Sequence, residues 1–203
     1  MELIVVTPPT YFEAEGKLIN DYFDAGLEVL HIRKPDQEHA QFASLMSTIR
    51  PEFYPRIAIH QHHNLAKEFG LQRLHFTEPQ RKAQSPEKLR ELGIAGYRLS
   101  SSVHQIDTFA GLEEFSYVFF GPVFDSISKK GYKSKLKEGF VLPPHKQKVF
   151  AIGGAHAGRF KEINSMNFDG AAVLGSLWHM DVPPLRALTI MMNEIKSLNN
   201  GDR

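Results

Sequence analysis

Three short stretches carry the residue types that hold an anion. They are Gly121-Pro-Val-Phe-Asp-Ser-Ile-Ser-Lys-Lys-Gly131, Ala151-Ile-Gly-Gly154 and Val173-Leu-Gly-Ser176. Each follows a short apolar run: Tyr117 to Phe120, Val149 to Ile152 and Ala171 to Leu174. Glycine bares backbone N–H groups, serine adds a hydroxyl and lysine an ammonium, which together suit a phosphate. Brought side by side, the three would form a site for a phosphorylated small molecule. Each piece also has a plainer meaning. Gly153-Gly154 can be a tight turn alone, and Ser126 to Lys129 can be a solvated loop. A second group of polar residues follows other apolar runs: His31 and Arg33, then His60, Gln61, His62 and His63, then His75, then Ser100-Ser-Ser-Val-His104. Arg33 suits a bidentate anion clamp, with a structural carboxylate as its other partner type. The histidines invite a metal reading. However, adjacent His62 and His63 point apart, and only Glu78 stands near as a carboxylate, so polar lining of a cleft is preferred and no metal ligand is assigned.

These residues need elements to position them. Candidate strands are Leu3 to Thr7, Val29 to Arg33, Arg56 to His60, Arg73 to Phe76, Tyr97 to Ser100, Tyr117 to Phe120, Lys148 to Ile152 and Gly170 to Leu174. Several are continuously apolar, as strands buried on both faces of a parallel sheet are. Between them run amphipathic helices, clearest at Phe12 to Ala25, Glu38 to Ile49 and Leu185 to Leu198. Asn64 to Phe69, Pro86 to Leu92, Ile106 to Leu112 and Ala157 to Met166 carry weaker helical patterns. Eight strand–helix units predict an α/β protein, a single-domain (β/α)8 TIM barrel over residues 1–203. An open doubly wound sheet is the alternative, but Thr7-Pro-Pro9 stands where its glycine fingerprint would be. In a barrel, the polar residues above all fall at C-terminal strand ends, where barrel sites are built. Asp125 to Gly139 reads as a mobile loop and candidate lid, and residues 199–203 as a frayed tail.

Bulk properties narrow the class. The 203 residues are 42% hydrophobic and 23% charged, with a formal net charge of +1. That is ordinary for a globular protein and gives no footprint for nucleic acid. No run reaches the roughly 20 apolar residues of a membrane span. The absence of cysteine removes disulfides and thiolate metal sites. A cytoplasmic location is expected, with no secretory leader at the start. A homodimer is compatible with the sequence.

Tyr117-Val-Phe-Phe-Gly-Pro-Val-Phe-Asp-Ser-Ile-Ser-Lys129, Ala151-Ile-Gly-Gly154, Asp169-Gly-Ala-Ala-Val-Leu-Gly-Ser176, Ser102-Val-His104 and His31-Ile-Arg33 together resemble the thiamine phosphate synthase/thiazole tautomerase family. The resemblance runs from Leu3 to about Trp178 and implies a (β/α)8 barrel that binds a thiazole phosphate. It implies that Ser126, Ser128, Gly154, Leu174 and Gly175 hold the phosphate. His31, Arg33, Ser102 and Lys129, with His60 beside them, would face the other part of the cleft, which in a synthase takes a pyrimidine diphosphate and Mg²⁺.

The departures bear on subtype. Where the family's synthases place Asn-Asp-Arg after strand 3, this chain has His60-Gln61-His62. Where a second aspartate follows strand 4, it has Gln80, and the lysine after the strand-2 arginine is replaced by Pro35, with Lys34 one place earlier. A Gln carbonyl is a weaker ligand for a hard dication than a carboxylate. The expectation is therefore a tautomerase-type isomerase with no cofactor, His104 shuttling the proton and Arg33 holding a substrate carboxylate. The plainer role of His104 is a helix cap. One alternative is a thiamine phosphate synthase with an atypical Mg²⁺ site. Another is a non-catalytic thiazole phosphate binder.

Overall fold

Short runs of apolar and β-branched residues leave little for a strand to do except pair on both sides and bury both faces. In the computed structural model they do so. The structure describes residues 1–203 except 36, 37, 106–108, 110, 126–133, 135, 179–181, 202 and 203. Its strands are β1 (Glu2–Val6), β2 (Val29–Ile32), β3 (Ile57–Ile59), β4 (Arg73–Phe76), β5 (Arg98–Val103), β6 (Tyr117–Phe120), β7 (Lys148–Ile152) and β8 (Gly170–Val173). All pairs are parallel, in sequence order, and β8 returns to β1 to close the barrel. The helices are α1 (Glu15–Asp24), α2 (His39–Thr48), α3 (Ala66–Phe69), α4 (Glu78–Lys82), α5 (Pro86–Ile94), α6 (Phe160–Ser165), α7 (Gly175–Trp178) and α8 (Pro184–Gly201). Among the described residues no helix is long and apolar enough to cross a membrane.

The core has two parts, because side chains alternate along each strand. The larger part lies between strands and helices and includes Val5, Leu30, Ile32, Phe42 and Met46. The smaller fills the barrel itself with Ile4, Val6, Tyr117, Phe119, Phe150 and Ala172. These come from β1, β6, β7 and β8, which make one wall of the interior apolar. The facing wall, from β2 to β5, supplies the buried side chains of His31, His75 and Ser100, with His60 just past β3.

Several sequence expectations shift. β5 runs three residues past Ser100, because Ser101, Ser102 and Val103 pair with Val118, Phe119 and Phe120 of β6. The helix α4 follows β4 directly, started by a capping box in which Thr77 and Gln80 satisfy each other's free groups. The tail expected to fray at Asn199 instead continues α8 to Gly201, and the Asn199 amide donates to the Met1 carbonyl at 3.0 Å. The helix expected over Ile106 to Leu112 falls mostly outside the described residues.

One buried ion pair fixes the loop after β1. Lys34 Nζ lies 2.7 Å and 2.9 Å from the two Glu15 carboxylate oxygens and also donates to the carbonyls of Pro8 and Thr10. Both side chains are almost fully enclosed. Burial pushes the Glu15 carboxyl up and the Lys34 ammonium down, and each is held charged by the other. Replacing Glu15 with Ala strands the ammonium, and we expect a loss of about 3–5 kcal/mol in stability. Urea unfolding checks this; a loss below about 1 kcal/mol would contradict it.

Candidate active site

The C-terminal ends of the strands enclose a cavity of about 290 Å³. Of the residues expected to form the site, Arg33, His60, Ser102 and His104 line it on one side, and Gly154, Leu174 and Gly175 on the other. Val6, Phe119, Ile152 and Ala172 give it an apolar floor and flank. Ser126, Ser128 and Lys129 lie outside the described residues. His31 does not line the cavity; it is fully buried behind His60.

The glycine side is shaped by close backbone approach. Gly153 and Gly154 have φ of +93° and +64°. A Cβ on Gly153 would stand 2.8 Å from Pro122 Cβ, and one on Gly154 would stand 2.5 Å from the Asp125 carbonyl oxygen. The turn therefore needs glycine for packing against the loop after β6, and it also exposes backbone to the cavity. Ser176 ties this corner together by donating its hydroxyl proton to the Ala155 carbonyl at 2.6 Å. Two neighbouring backbone corners after β7 and β8 are where barrels commonly hold a phosphate.

On the opposite side, His104 follows β5. Its Nδ1 donates to the Gly121 carbonyl at 2.5 Å, which leaves Nε2 as the ring's lone-pair nitrogen. Nε2 is 3.9 Å from a carboxylate oxygen of Glu78. Glu78 is held by Lys82 at 2.7 Å, and that hydrogen bond lowers its carboxyl pKa, so it stays ionised. The pair His104–Glu78 sets an imidazole with a carboxylate behind it at the cavity mouth, an arrangement that can serve acid–base chemistry. Arg33 has its backbone N–H on Thr7 Oγ1. No carboxylate among the described residues pairs with its guanidinium, which favours the clamp over the structural pairing. Glu78 was visible in the sequence as a nearby carboxylate, but its partnership with His104 needed α4 to be recognised.

Behind His60, the one member that lines the cavity, lies a histidine cluster. His31 Nδ1 is 2.9 Å from His60 Nε2, and His31 Nε2 is 2.6 Å from the Tyr117 hydroxyl. His75 bonds Ser100 Oγ at 2.9 Å and Ser102 Oγ at 3.0 Å. Burial drives all three imidazoles toward the neutral form, His31 and His60 well below the usual range and His75 to about 3. Nitrogens of these residues lie within 4.8 Å of one another, a spacing open to a metal. The ring planes argue otherwise. His60 and His75 stack at 4.0 Å with only 26° between them, so their in-plane lone pairs run side by side rather than to one point. Of the other histidines, His63 donates from Nε2 to the carbonyls of Ile59 and His75, and His62 packs on Phe42.

The residues standing where Mg²⁺ would be held do not fit it. Gln61 Oε1 accepts the Lys34 backbone N–H at 2.9 Å. Gln80 Oε1 accepts from Thr77 N and Thr77 Oγ1, both at 2.8 Å. Both amide oxygens are thus spent on local structure, and Lys34 is spent on Glu15. What remains among the described residues is a single carboxylate, Glu78, already bonded to Lys82, beside neutral imidazole, where a hard dication is better served by several oxygen ligands.

The chain matches the family model described as "TMP-TENI: Thiamine monophosphate synthase" over residues 3–177. Among solved structures it is similar to a thiamine phosphate pyrophosphorylase from Bacteroides thetaiotaomicron, with 26% identity, a TM-score of 0.74, and 97% of this chain and 98% of that one covered. A thiamine phosphate pyrophosphorylase from Pyrococcus furiosus shares the fold at 16% identity and a TM-score of 0.77, covering 97% of this chain and 96% of that one. No curated protein sequence gives a significant match.

The buried histidines make stability pH-dependent. In the unfolded chain each titrates near 6.5, while folding holds it neutral, so the unfolded state binds more protons below that pH. Stability is complete above about pH 6.5 and falls as pH drops toward 3, with each of the three adding a slope of up to about 1.4 kcal/mol per pH unit. Urea titrations at pH 7 and pH 5 should show the loss. Equal midpoints would contradict the neutral cluster.

Proposed function

Because the chain belongs to the thiamine monophosphate synthase family, matched along its whole barrel, we propose that it binds a thiazole phosphate and isomerises it. The observation that carries this is the cleft's asymmetry. The corner at Gly153-Gly154 and Leu174-Gly175 offers backbone to a phosphate, joined in this reading by Ser126, Ser128 and Lys129. The opposite half offers His104, Arg33 and a neutral histidine floor, while Gln61, Gln80 and Lys34 are engaged elsewhere. Joining a thiazole phosphate to a pyrimidine would require a departing diphosphate to be neutralised, and the described residues offer no carboxylate pair for a dication there.

Isomerisation of a carboxylated thiazole phosphate to its aromatic tautomer needs only proton transfers. His104 Nε2 takes the proton from the ring carbon, and the imidazolium so formed faces the Glu78 carboxylate. The electron pair moves through the ring, and the exocyclic carbon takes a proton back. Arg33 holds the substrate carboxylate, and the apolar flank of Val6 and Ile152 keeps water from the reacting face. No metal or organic cofactor enters. The reading favours a chain working on a small phosphorylated thiazole in the cytoplasm.

The test is to supply the purified protein with the carboxythiazole phosphate tautomer and follow its conversion spectroscopically. Replacing His104 with Ala is expected to lower turnover about 10²–10⁴-fold. Replacing Arg33 with Ala should raise KM more than it lowers kcat. An unchanged rate in the His104 variant would sink the assigned base.

A further inference from the structure

The proton transfers above employ His104 and leave the buried cluster without a task. Its hydrogen bonds run in one direction through the molecule. His60 lines the catalytic cavity, and among the described residues its Nδ1 makes no hydrogen bond. Its Nε2 meets His31 Nδ1 at 2.9 Å, and His31 Nε2 meets the Tyr117 hydroxyl at 2.6 Å. Tyr117 belongs to β6, across the barrel from β2, so this second bond crosses the axis. Tyr117 in turn lines a second cavity of about 690 Å³ at the N-terminal ends of the strands, beside Arg73, Arg98 and Lys148. Burial raises the pKa of its hydroxyl, and the nearby Arg73 charge acts against that rise. Three side chains therefore join the floor of one cavity to the wall of another, at opposite mouths of the barrel.

We propose that His60, His31 and Tyr117 form a proton relay along the barrel axis, which makes His60 a second acid–base group of the catalytic cavity. A proton arriving at His60 Nδ1 forms that N–H bond while the Nε2–H proton passes to His31 Nδ1. The His31 Nε2–H proton passes to the Tyr117 oxygen, and the proton already on Tyr117 leaves to water in the second cavity. One proton enters and one leaves, and both imidazoles begin and end neutral. Strong burial suits this exchange, since it penalises a stored imidazolium but not a change of tautomer. The return direction supplies a proton to the cavity from the far side. His75, stacked on His60 and anchored by Ser100 and Ser102, holds the ring in plane for the handover. A network needed only for packing could use amides, whose donor and acceptor ends are fixed; imidazole is the side chain whose hydrogen bonds can reverse together.

The use of His60 in turnover rests on the isomerase reading, whereas the relay does not, and the experiment separates them. Nitrogen-15 NMR of the full chain labelled in histidine, without substrate and between pH 6 and 8, reads each ring nitrogen. His31 and His60 are expected neutral, each nitrogen showing a shift averaged between its protonated and bare values. In His31→Gln, which keeps a hydrogen-bonding side chain that cannot relay, and in Tyr117→Phe, His60 is expected to collapse to one tautomer. A single tautomer in the unaltered chain, or averaging that persists in both variants, overturns the relay. Near-UV circular dichroism confirms that each variant is folded, and either one alone suffices. In the isomerase assay both variants should lower kcat at least tenfold with KM within twofold. Tautomer exchange in a chain that turns nothing over would leave the relay standing and remove the functional reading. Unchanged kcat in both variants of an active enzyme would remove His60 from the reaction.

Discussion

An imidazole buried at the centre of a parallel barrel must be neutral, and each of its nitrogens must find a partner or face a cavity, because nothing there compensates a charge or an orphaned dipole. This chain buries three: His31, His60 and His75. Much of the interior follows from satisfying them. Tyr117 on β6 reaches across the axis to His31, and Ser100 and Ser102 on β5 take the two nitrogens of His75. The interior therefore divides into a polar wall from β2 to β5 and an apolar wall from β1 and β6 to β8. The cavity above inherits that division, with histidine and serine at one side and glycine backbone at the other.

The same division separates a corner of open backbone from a wall of engaged side chains. The glycine corner is backbone geometry, set by positive φ and by contacts that admit no Cβ, and it is independent of the histidine wall. On the histidine wall, groups that could have met a charged ligand serve the scaffold instead. Gln61 caps the backbone of Lys34, Gln80 closes the capping box of α4, and Lys34 is locked to Glu15. In the proposed reading, a phosphate held at the glycine corner beside the neutral His60 suits proton transfer within one bound molecule better than the departure of a diphosphate.

The barrel was legible in the sequence because its signals are local. β4, β6 and β7 have the limits their residues suggest, set by runs that stop at glycine or threonine. The glycine turns after β7 and β8 were legible for the same reason. What stayed hidden depends on side chains far apart in the chain. The extension of β5 was masked by Ser101 and Ser102, since a serine such as Ser102, which faces inward to His75, looks like a loop residue when read alone. His31 read as a ligand contact because its place at a strand end was visible and its partners, 29 and 86 residues away, were not. The role of Lys34 likewise needed Glu15, 19 residues earlier. The short helix α4 had a local signal, Thr77 followed three residues later by Gln80 with proline between, and this signal also places Glu78 beside His104.

The most direct measurement is the pair of reactions run side by side on the same protein. One mixture holds the carboxylated thiazole phosphate tautomer alone; the other holds thiazole phosphate, pyrimidine diphosphate and Mg²⁺. A cleft with a neutral histidine floor should convert the first and yield no thiamine phosphate from the second, with EDTA without effect on either. Thiamine phosphate formed in the second mixture and abolished by EDTA would contradict it, because a dication would then be working where spent amides, neutral imidazoles and the single carboxylate of Glu78 stand.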